Sequence, residues 1–256
     1  MHTAEKNSLR PVIAGNTDTG MLKILALIFM IVDHLGSAFF PGIFELRIIG
    51  RIAFPLYVWC CVVGMTYTKD PIGYMLRVLV SAFISQPCFM LGLNHTILEL
   101  NVMFTLFLGL FALWGIREKR MMSQFITPVI ALFLACVFKM DYGWKGIMLM
   151  LCLYAARERR GAIAAVFVCF CLFWGAESSV VYDFFGLALP NQLPNWMGYG
   201  GALLRAVKKL QFMAVLALPF MLMKRKHRIN LPRWFSYGAY PAHLLIIGII
   251  RNFLIG

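Results

Sequence analysis

An aspartate and a histidine stand side by side inside an apolar run that is long enough to cross a membrane. The run extends from Leu22 to Phe40 and has the sequence LKILALIFMIVDHLGSAFF. About twenty apolar residues span a bilayer, and an ionisable side chain placed there costs roughly 2.5 to 3.5 kcal/mol, so such residues are candidates for function. Histidine titrates near neutrality, which suits it to proton transfer. Asp33 and His34 are therefore the first candidates for chemistry.

These two side chains should have different partners, because neighbours on a helix point about 100° apart. We therefore do not expect Asp33 to orient His34 as a carboxylate orients the histidine of a catalytic triad. A buried carboxylate needs a charge-assisted bond, and the next apolar segment supplies Arg47 and Arg51. Gly50 lies between the two arginines and allows close helix approach. A purely structural ion pair beside a hydrogen-bonded histidine is the alternative interpretation.

Other polar residues recur in the later apolar runs. Asn101 and Thr105 are four residues apart and share one helix face, so they can reach a common cavity or hold two helices together. Asp141 and Tyr142 stand before another apolar run, where a solvated helix start is the alternative. His243 lies in the last run near its cytoplasmic end, and histidines so close to an interface are more often structural.

The composition assigns the chain to the polytopic membrane proteins. Of 256 residues, 61% are hydrophobic and only 14% are charged, well outside the range of soluble domains. The net charge of +13 comes from short basic clusters between apolar runs, which act as topology signals, so we expect no nucleic-acid partner. All seven cysteines lie in apolar runs, and the chain has no phosphate-binding loop, dinucleotide fingerprint or HExxH motif. We expect no disulfide framework and no metal.

The apolar windows predict an all-α fold, a polytopic helix bundle with about nine transmembrane helices and ten as the alternative count. The sixth window is short and also fits a re-entrant or interfacial segment. The windows are residues 22–40, 52–67, 74–93, 97–116, 124–138, 142–156, 161–176, 203–223 and 237–255.

Lysine and arginine set the predicted orientation. With the N-terminus in the cytoplasm, these residues favour the inner side by about two to one, as the positive-inside rule requires. Residues 1–20 have no apolar core and are predicted to be a disordered cytoplasmic tail, not a cleaved signal peptide. Residues 21–256 then form a single transmembrane domain, with an extracytoplasmic loop at about 177–202 that is rich in proline, glycine and aromatic residues.

Five segments in order resemble one known family. They are LKILALIFMIVDHLG, IIGRIAFPLYVWCCVVG, LNVMFTLFLGL, DYGWKGIMLML and SYGAYPAHLLII. The chain resembles the TraX family, whose name-giving member is a membrane acetyltransferase that acetylates the N-terminal residue of F-pilin. Each segment is a weak signal alone, but the order, the intramembrane Asp-His pair and the terminal Tyr-Pro-x-His make a specific combination that covers most of the chain.

The resemblance implies acetyl transfer from acetyl-CoA, as co-substrate, within the bacterial inner membrane. It leaves the acceptor open among a pilin N-terminus, a surface glycan, a peptide and a small amine. The expected partners are therefore acetyl-CoA, this acceptor and the lipid bilayer, and a homodimer is left open. The positions that match the family segments, and that form the predicted catalytic set, are Asp33, His34, Arg51, Asn101, Asp141, Tyr142 and His243.

Roles for these residues follow from the chemistry of acyl transfer. His34 is predicted to be the general base, with Asp33 and Arg51 as a structural pair beneath it. Oxyanion donors would come from Asn101, Thr105 or Tyr142. The predicted contacts to the CoA phosphates are the basic residues Arg51, Lys224, Arg225, Lys226 and Arg228.

Two other classes compete with the enzyme. In a proton-coupled transporter or permease, Asp33, His34 and Arg51 would form an intramembrane relay. A structural membrane scaffold is the third class, and it leaves the intramembrane Asp-His pair without a role.

Overall fold

Helices build almost all of the described chain. The structure, a computed structural model, describes residues 12–176, 178–181, 183–184, 187–188, 205–225 and 228–255. Its elements, in chain order, are α1 (Thr19–Phe39), α2 (Phe44–Gly50), α3 (Ala53–Tyr67), α4 (Pro71–Leu93), α5 (Val102–Glu118), α6 (Ser123–Val137), α7 (Gly143–Ala156), α8 (Arg160–Gly175), β1 (Asp183–Phe184), β2 (Leu187–Ala188), a 3₁₀ helix (Leu210–Ala217), α9 (Leu218–Leu222) and α10 (Arg233–Ile255).

The two strands are only two residues long each and form a small antiparallel hairpin. Asp183 lies opposite Ala188 and Phe184 lies opposite Leu187. The prediction of a helical protein is therefore confirmed for the described residues, apart from this hairpin in the predicted 177–202 loop. Most of that loop lies outside the described residues.

Successive helical segments run in opposite directions, so their connections gather at two ends of the bundle. The connections 40–43, 94–101 and 138–142 form what we call the outer end, after the predicted orientation. At this end the backbone nitrogen of Leu100 donates to the oxygen of Lys139 at 2.9 Å. The connections 68–70, 119–122 and 157–159, with residues 223–225 and 228–232, form the inner end, where Arg117 donates to the backbone oxygen of Thr68 at 2.8 Å.

Three helical segments of the described chain are long and apolar enough to cross a membrane by length and composition. They are Thr19–Phe39, Phe44–Tyr67 and Pro71–Leu93. Four shorter apolar helices are Ser123–Val137, Gly143–Ala156, Arg160–Gly175 and Leu210–Leu222. A helical membrane protein is consistent with these lengths, and the count of nine spans stays a prediction.

Side-chain caps fix where several helices begin. The Asp18 carboxylate accepts from the backbone nitrogen of Met21 at the start of α1. Asp70 does the same for Gly73 at the start of α4, where Pro71 occupies the first turn. Asn101 caps α5, which therefore begins at Val102 and not at residue 97 as the apolar window predicted. Caps of this kind satisfy backbone donors that the first turn of a helix leaves free.

The core forms around α3, which is buried on nearly all sides. A helix that is apolar all round belongs in the interior of a bundle, and α3 packs against α1, α5 and α7. Trp59 is fully buried, and its indole nitrogen donates to the backbone oxygen of Asn16 at 2.8 Å. This central helix also carries Phe54 and Tyr57, which line the site described below.

The predicted disordered tail is wrong for residues 12–20. Asn16 is 1% exposed, its backbone nitrogen donates to the oxygen of Met221, and its side chain donates to the oxygen of Phe220. The backbone nitrogen of Ala14 donates to the oxygen of Arg157. The polar composition suggested solvent, but these residues are instead paired within the inner end of the bundle. Residues 1–11 lie outside the described residues.

Candidate functional site

A cavity of about 460 Å³ lies at the outer end of the bundle. It is bounded by the C-terminal part of α1, by α2 and α3, by the end of α4, and by the two connections 94–101 and 138–142. Its polar lining residues are Asp33, His34, Ser37, Arg47, Arg51, Tyr57, His95, Glu99, Lys139, Asp141 and Tyr142. Five of the seven predicted catalytic residues therefore line one cavity.

The first pair in the cavity is the ion pair between α1 and α2 that the sequence predicted. The Arg51 guanidinium reaches both oxygens of Asp33, at 3.0 and 3.1 Å, and Arg47 approaches Oδ1 at 3.3 Å. The side chains of Asp33 and Arg51 are only 11% and 12% exposed. Gly50 makes the contact feasible, because a Cβ at this position would stand 2.3 Å from the Asp33 Cβ. The predicted pairing is confirmed.

A glutamine extends this ion pair to the 3₁₀ helix. Arg51 Nη1 donates to the side-chain oxygen of Gln211 at 3.3 Å. Gln211 was not among the predicted site residues, since a single glutamine in an apolar run gives no distinctive sequence signal. Its contact ties the element after the 177–202 loop to the cavity wall.

His34 meets a histidine from the last helix. Its Nδ1 lies 2.9 Å from Nε2 of His243, with the two ring planes only 10° apart. His243 is 7% exposed, and its other nitrogen, Nδ1, lies 3.1 Å from the backbone oxygen of Ala239. The sequence predicted that Asp33 and His34 would have different partners, and this is confirmed. It did not predict that the partner of His34 is His243.

The connection 138–142 is held against the start of α5. The backbone nitrogen of Asp141 donates to the oxygen of Leu100 at 2.9 Å, and the Thr105 hydroxyl donates to the backbone oxygen of Asp141. Tyr142 has a φ of +64°, which is rare for a bulky residue, and Gly143 follows with a φ of +48°. The turn stacks the Tyr142 ring on Phe54, with the centroids 3.7 Å apart. Strained backbone held by its surroundings is frequent at functional sites.

Asp141 lines the cavity and is an exposed residue. Desolvation by the protein around its carboxyl group raises the pKa of Asp141 to about 6; Arg51 lowers that pKa, and Asp33 raises it further. Asp141 is therefore an acidic group of the cavity that changes charge close to neutral pH.

A second polar cluster forms the rim of the cavity. Glu99 accepts from Lys139 Nζ at 2.5 Å and lies 2.9 Å from His95 Nδ1. The hydrogen bond from Lys139, with those from the Thr96 backbone and His95, lowers the pKa of Glu99 to about 2. His95 was not among the predicted site residues. The four-residue spacing of His95 and Glu99 was the available signal for this pair.

Asn101 and Thr105 do not take part in the cavity, which corrects the prediction for both residues. Asn101 is fully buried, and its amide nitrogen donates to the oxygen of Ala82 and to the side chain of Gln86. Its amide oxygen accepts from the nitrogen of Met103. With its amide nitrogen and oxygen engaged in these bonds, Asn101 has a structural role, as the interhelical alternative proposed.

The predicted phosphate-binding residues do not form one group. Arg225 Nη1 lies 3.7 Å from Asp18, and Arg228 donates to the Thr17 hydroxyl, so both belong to the inner end. Arg51 binds Asp33, which lies fifteen residues along α1 from Asp18, a rise of about 22 Å. Arg51 therefore cannot share a phosphate with Arg225 and Arg228. Lys224 is exposed at the inner end, and Lys226 lies outside the described residues.

A second, mostly apolar cavity of about 50 Å³ lies between the outer cavity and the inner end. Met30, Tyr57 and Val102 line both cavities. On the side nearer the inner end, the second cavity is lined by Lys23, Cys60 and Cys61. Lys23 Nζ lies 3.5 Å from the Ser236 hydroxyl. The two cavities therefore follow one line through the bundle, with Tyr57 between them.

Comparison with known proteins gives one family. A family model described as "TraX protein" matches residues 18–251. An uncharacterized protein of Rickettsia prowazekii (strain Madrid E) is 28% identical over 177 residues, which cover 66% of this chain and 66% of that protein. No solved structure matches the chain.

Proposed function

The chain belongs to the TraX family, and from this premise we propose that it is a membrane-embedded acetyltransferase of the bacterial inner membrane. It would move an acetyl group from cytoplasmic acetyl-CoA to an amine or hydroxyl acceptor that enters the outer cavity. The observation that carries the proposal is the placement of His34. The ring lies at the wall of a polar cavity and is fixed by His243, so one ring nitrogen remains available for chemistry.

His34 would act as the general base. The acceptor loses a proton to the imidazole as its nitrogen or oxygen attacks the carbonyl carbon of the thioester. The bond from that carbon to sulfur then breaks, and the imidazolium returns the proton to the leaving sulfur. Base catalysis of this kind typically contributes a factor of 10² to 10⁴.

Tyr142 is the proposed oxyanion donor. Its ring lies in the cavity wall, and its stacking on Phe54 limits rotation. A donor held in place before the reaction stabilises the developing negative charge without reorganisation. The fixed charges of Arg47 and Arg51 lie in the same wall and add to this effect.

Acetyl-CoA is proposed to reach the site along the second cavity. The inner end offers exposed Lys224 and the amine of Lys23 to the nucleotide phosphates, and the apolar lining suits the pantetheine arm. The volume of about 50 Å³ is too small for the arm at rest, so the Tyr57 side chain would have to turn for the thioester to reach His34. When bound, acetyl-CoA supplies the activated acyl group.

The transporter alternative receives less support from the site. A coupling carboxylate must gain and lose a proton during each cycle. Asp33 is instead held in three charge-assisted contacts with two arginines, so its oxygens are already engaged within the protein. We therefore retain the enzyme as the proposed function.

The test is transfer by the purified protein in liposomes. Acetyl-CoA labelled in the acetyl group is supplied on one side with a mixture of candidate acceptors on the other, and free CoA and labelled product are measured together. The enzyme should release both in equal amounts, and His34→Ala should lower turnover by at least about 10². His95→Ala removes a histidine bound to Glu99 at the rim and should have a much smaller effect. Failure to bind acetyl-CoA and to release CoA would exclude the acetyltransferase.

A further inference from the structure

We propose that His243 is a positioning residue that fixes the tautomer of His34, so that the proton acceptor in the cavity is Nε2 of His34. The inference depends on the proposed function only for the statement that His34 is the base. Its structural part, the assignment of protons to four ring nitrogens, stands on hydrogen-bond geometry alone.

The assignment begins at the backbone oxygen of Ala239. A carbonyl oxygen can only accept, so the neighbouring Nδ1 of His243, at 3.1 Å, must carry a proton. In a neutral imidazole one nitrogen is a donor and the other an acceptor, so Nε2 of His243 is an acceptor. The 2.9 Å contact then requires Nδ1 of His34 to carry the proton, which leaves Nε2 of His34 with a free lone pair.

The neutral state of this pair follows from its surroundings. His243 is 7% exposed, and a buried charge without a partner of opposite sign is costly. Arg47 and Arg51 line the same cavity as His34 and repel an imidazolium, and these arginines already offset the charge of Asp33. Among the described residues, none donates to or accepts from Nε2 of His34, so this nitrogen remains available to a molecule in the cavity.

The helices hold His243 firmly enough to act in this way. Helix α10 lies so close to α4 that a Cβ on Gly92 would stand 2.7 Å from the backbone oxygen of Leu244, the residue after His243. Pro241 cannot donate to the backbone oxygen of Tyr237, and the Ser81 hydroxyl of α4 donates to it instead, at 3.1 Å. The position of Ala239 and His243 relative to α4 is therefore set by packing.

The fixed tautomer has a chemical consequence for His34. When Nε2 takes a proton from the acceptor, the hydrogen bond from Nδ1 to His243 becomes charge-assisted and strengthens. When the proton passes to the leaving sulfur, the bond returns to its neutral form. His243 therefore stabilises the imidazolium without touching either substrate, as a triad carboxylate does for its histidine.

The test combines a spectrum with two substitutions. ¹⁵N-histidine labelling of the full chain in detergent, followed by two-bond ¹H–¹⁵N correlation, separates protonated from unprotonated ring nitrogens. We expect His34 to show a protonated Nδ1 and an unprotonated Nε2, with the signals assigned through the His34→Ala variant. A protonated Nε2 with an unprotonated Nδ1 would overturn the inference, whether or not the protein transfers acetyl groups.

The substitutions test the role in turnover. In His243→Gln the amide oxygen can accept from His34 and the amide nitrogen can donate to Ala239, so turnover should stay within about tenfold and the His34 spectrum should be kept. In His243→Leu no acceptor remains, and we expect a loss of roughly 10² to 10⁴, since a wrongly held tautomer costs about 10⁴ in a serine protease. Thermal unfolding of both variants controls for folding. Equal turnover of the leucine variant and the wild type would contradict the positioning role, and absence of transfer in the wild type would instead contradict the proposed function.

Discussion

Replacement of Gly50 by alanine tests whether the contact between α1 and α2 builds the site. An added Cβ would stand 2.3 Å from both Cβ and Oδ1 of Asp33 and 2.4 Å from its Cγ. These distances are far below van der Waals contact. The Asp33 carboxylate cannot easily move away, because its ion pairs with Arg47 and Arg51 hold it in place.

The expected cost follows from three contributions. Overpacking of a tight contact costs about 1 to 3 kcal/mol. Alanine is favoured over glycine by up to about 1 kcal/mol inside a helix, and less at Gly50, which is the last residue of α2. Any lengthening of the Asp33–Arg51 bonds adds to the loss, up to the 3 to 5 kcal/mol that is typical of a broken buried pair. We expect a net destabilisation of about 2 kcal/mol, or a Tm lower by about 4 to 8 °C for a chain of this size.

The assay is thermal unfolding in detergent, combined with acetyl transfer per folded molecule. The matched control is Gly161→Ala, because Gly161 is exposed in the first turn of α8 and a Cβ there meets nothing within 4 Å. This variant should keep or slightly raise the Tm. If Gly50→Ala behaves like the control in both stability and turnover, then Asp33 does not pack on Gly50 and the described ion-pair geometry is incorrect.

Two further substitutions test the titration of Asp141 and the structural role of Asn101. Because desolvation raises the pKa of Asp141 from 3.8 to about 6, the folded state binds more protons than the unfolded state between these values, and stability falls as the pH rises through them. Asp141→Asn should therefore raise the Tm relative to wild type at pH 8 and not at pH 3.5; an equal shift at both pH values would contradict the raised pKa. Asn101→Ala removes the cap on α5 and the bonds to Ala82 and Gln86, so it should cost about 2 kcal/mol or more while turnover per folded molecule stays unchanged. A large loss of turnover with full stability would restore Asn101 as an oxyanion donor.

The sequence alone determined the class of the protein and one contact of the site. Apolar runs, basic clusters and the cost of a buried charge predict a helical membrane protein with Asp33 paired to an arginine of the next helix, because these rules act within one segment or between adjoining ones. Helix periodicity likewise separates the partners of Asp33 and His34. The order of the five segments was enough to identify the family.

Only the tertiary structure decided which distant residues meet. His34 and His243 are 209 positions apart, and Arg51 and Gln211 are 160 apart. Such contacts depend on how far two helices slide and rotate against each other, which is set by side-chain packing such as that of Gly92 on Leu244 and leaves no periodic signal in the sequence.

The predictions for Asn101 and for residues 12–20 were wrong because the sequence does not show contacts between separate segments of the chain. Asn101 was assigned to the cavity from its helix face, but the neighbouring helix α4 supplies partners that use up its amide. Residues 12–20 were assigned to solvent from their polarity, but Trp59 and the backbone around residue 220 satisfy Asn16 in the interior. A polar residue looks the same in the sequence whether water or protein binds its side chain. The sequence therefore shows that the side chain needs a hydrogen-bond partner, and the fold decides which partner it has.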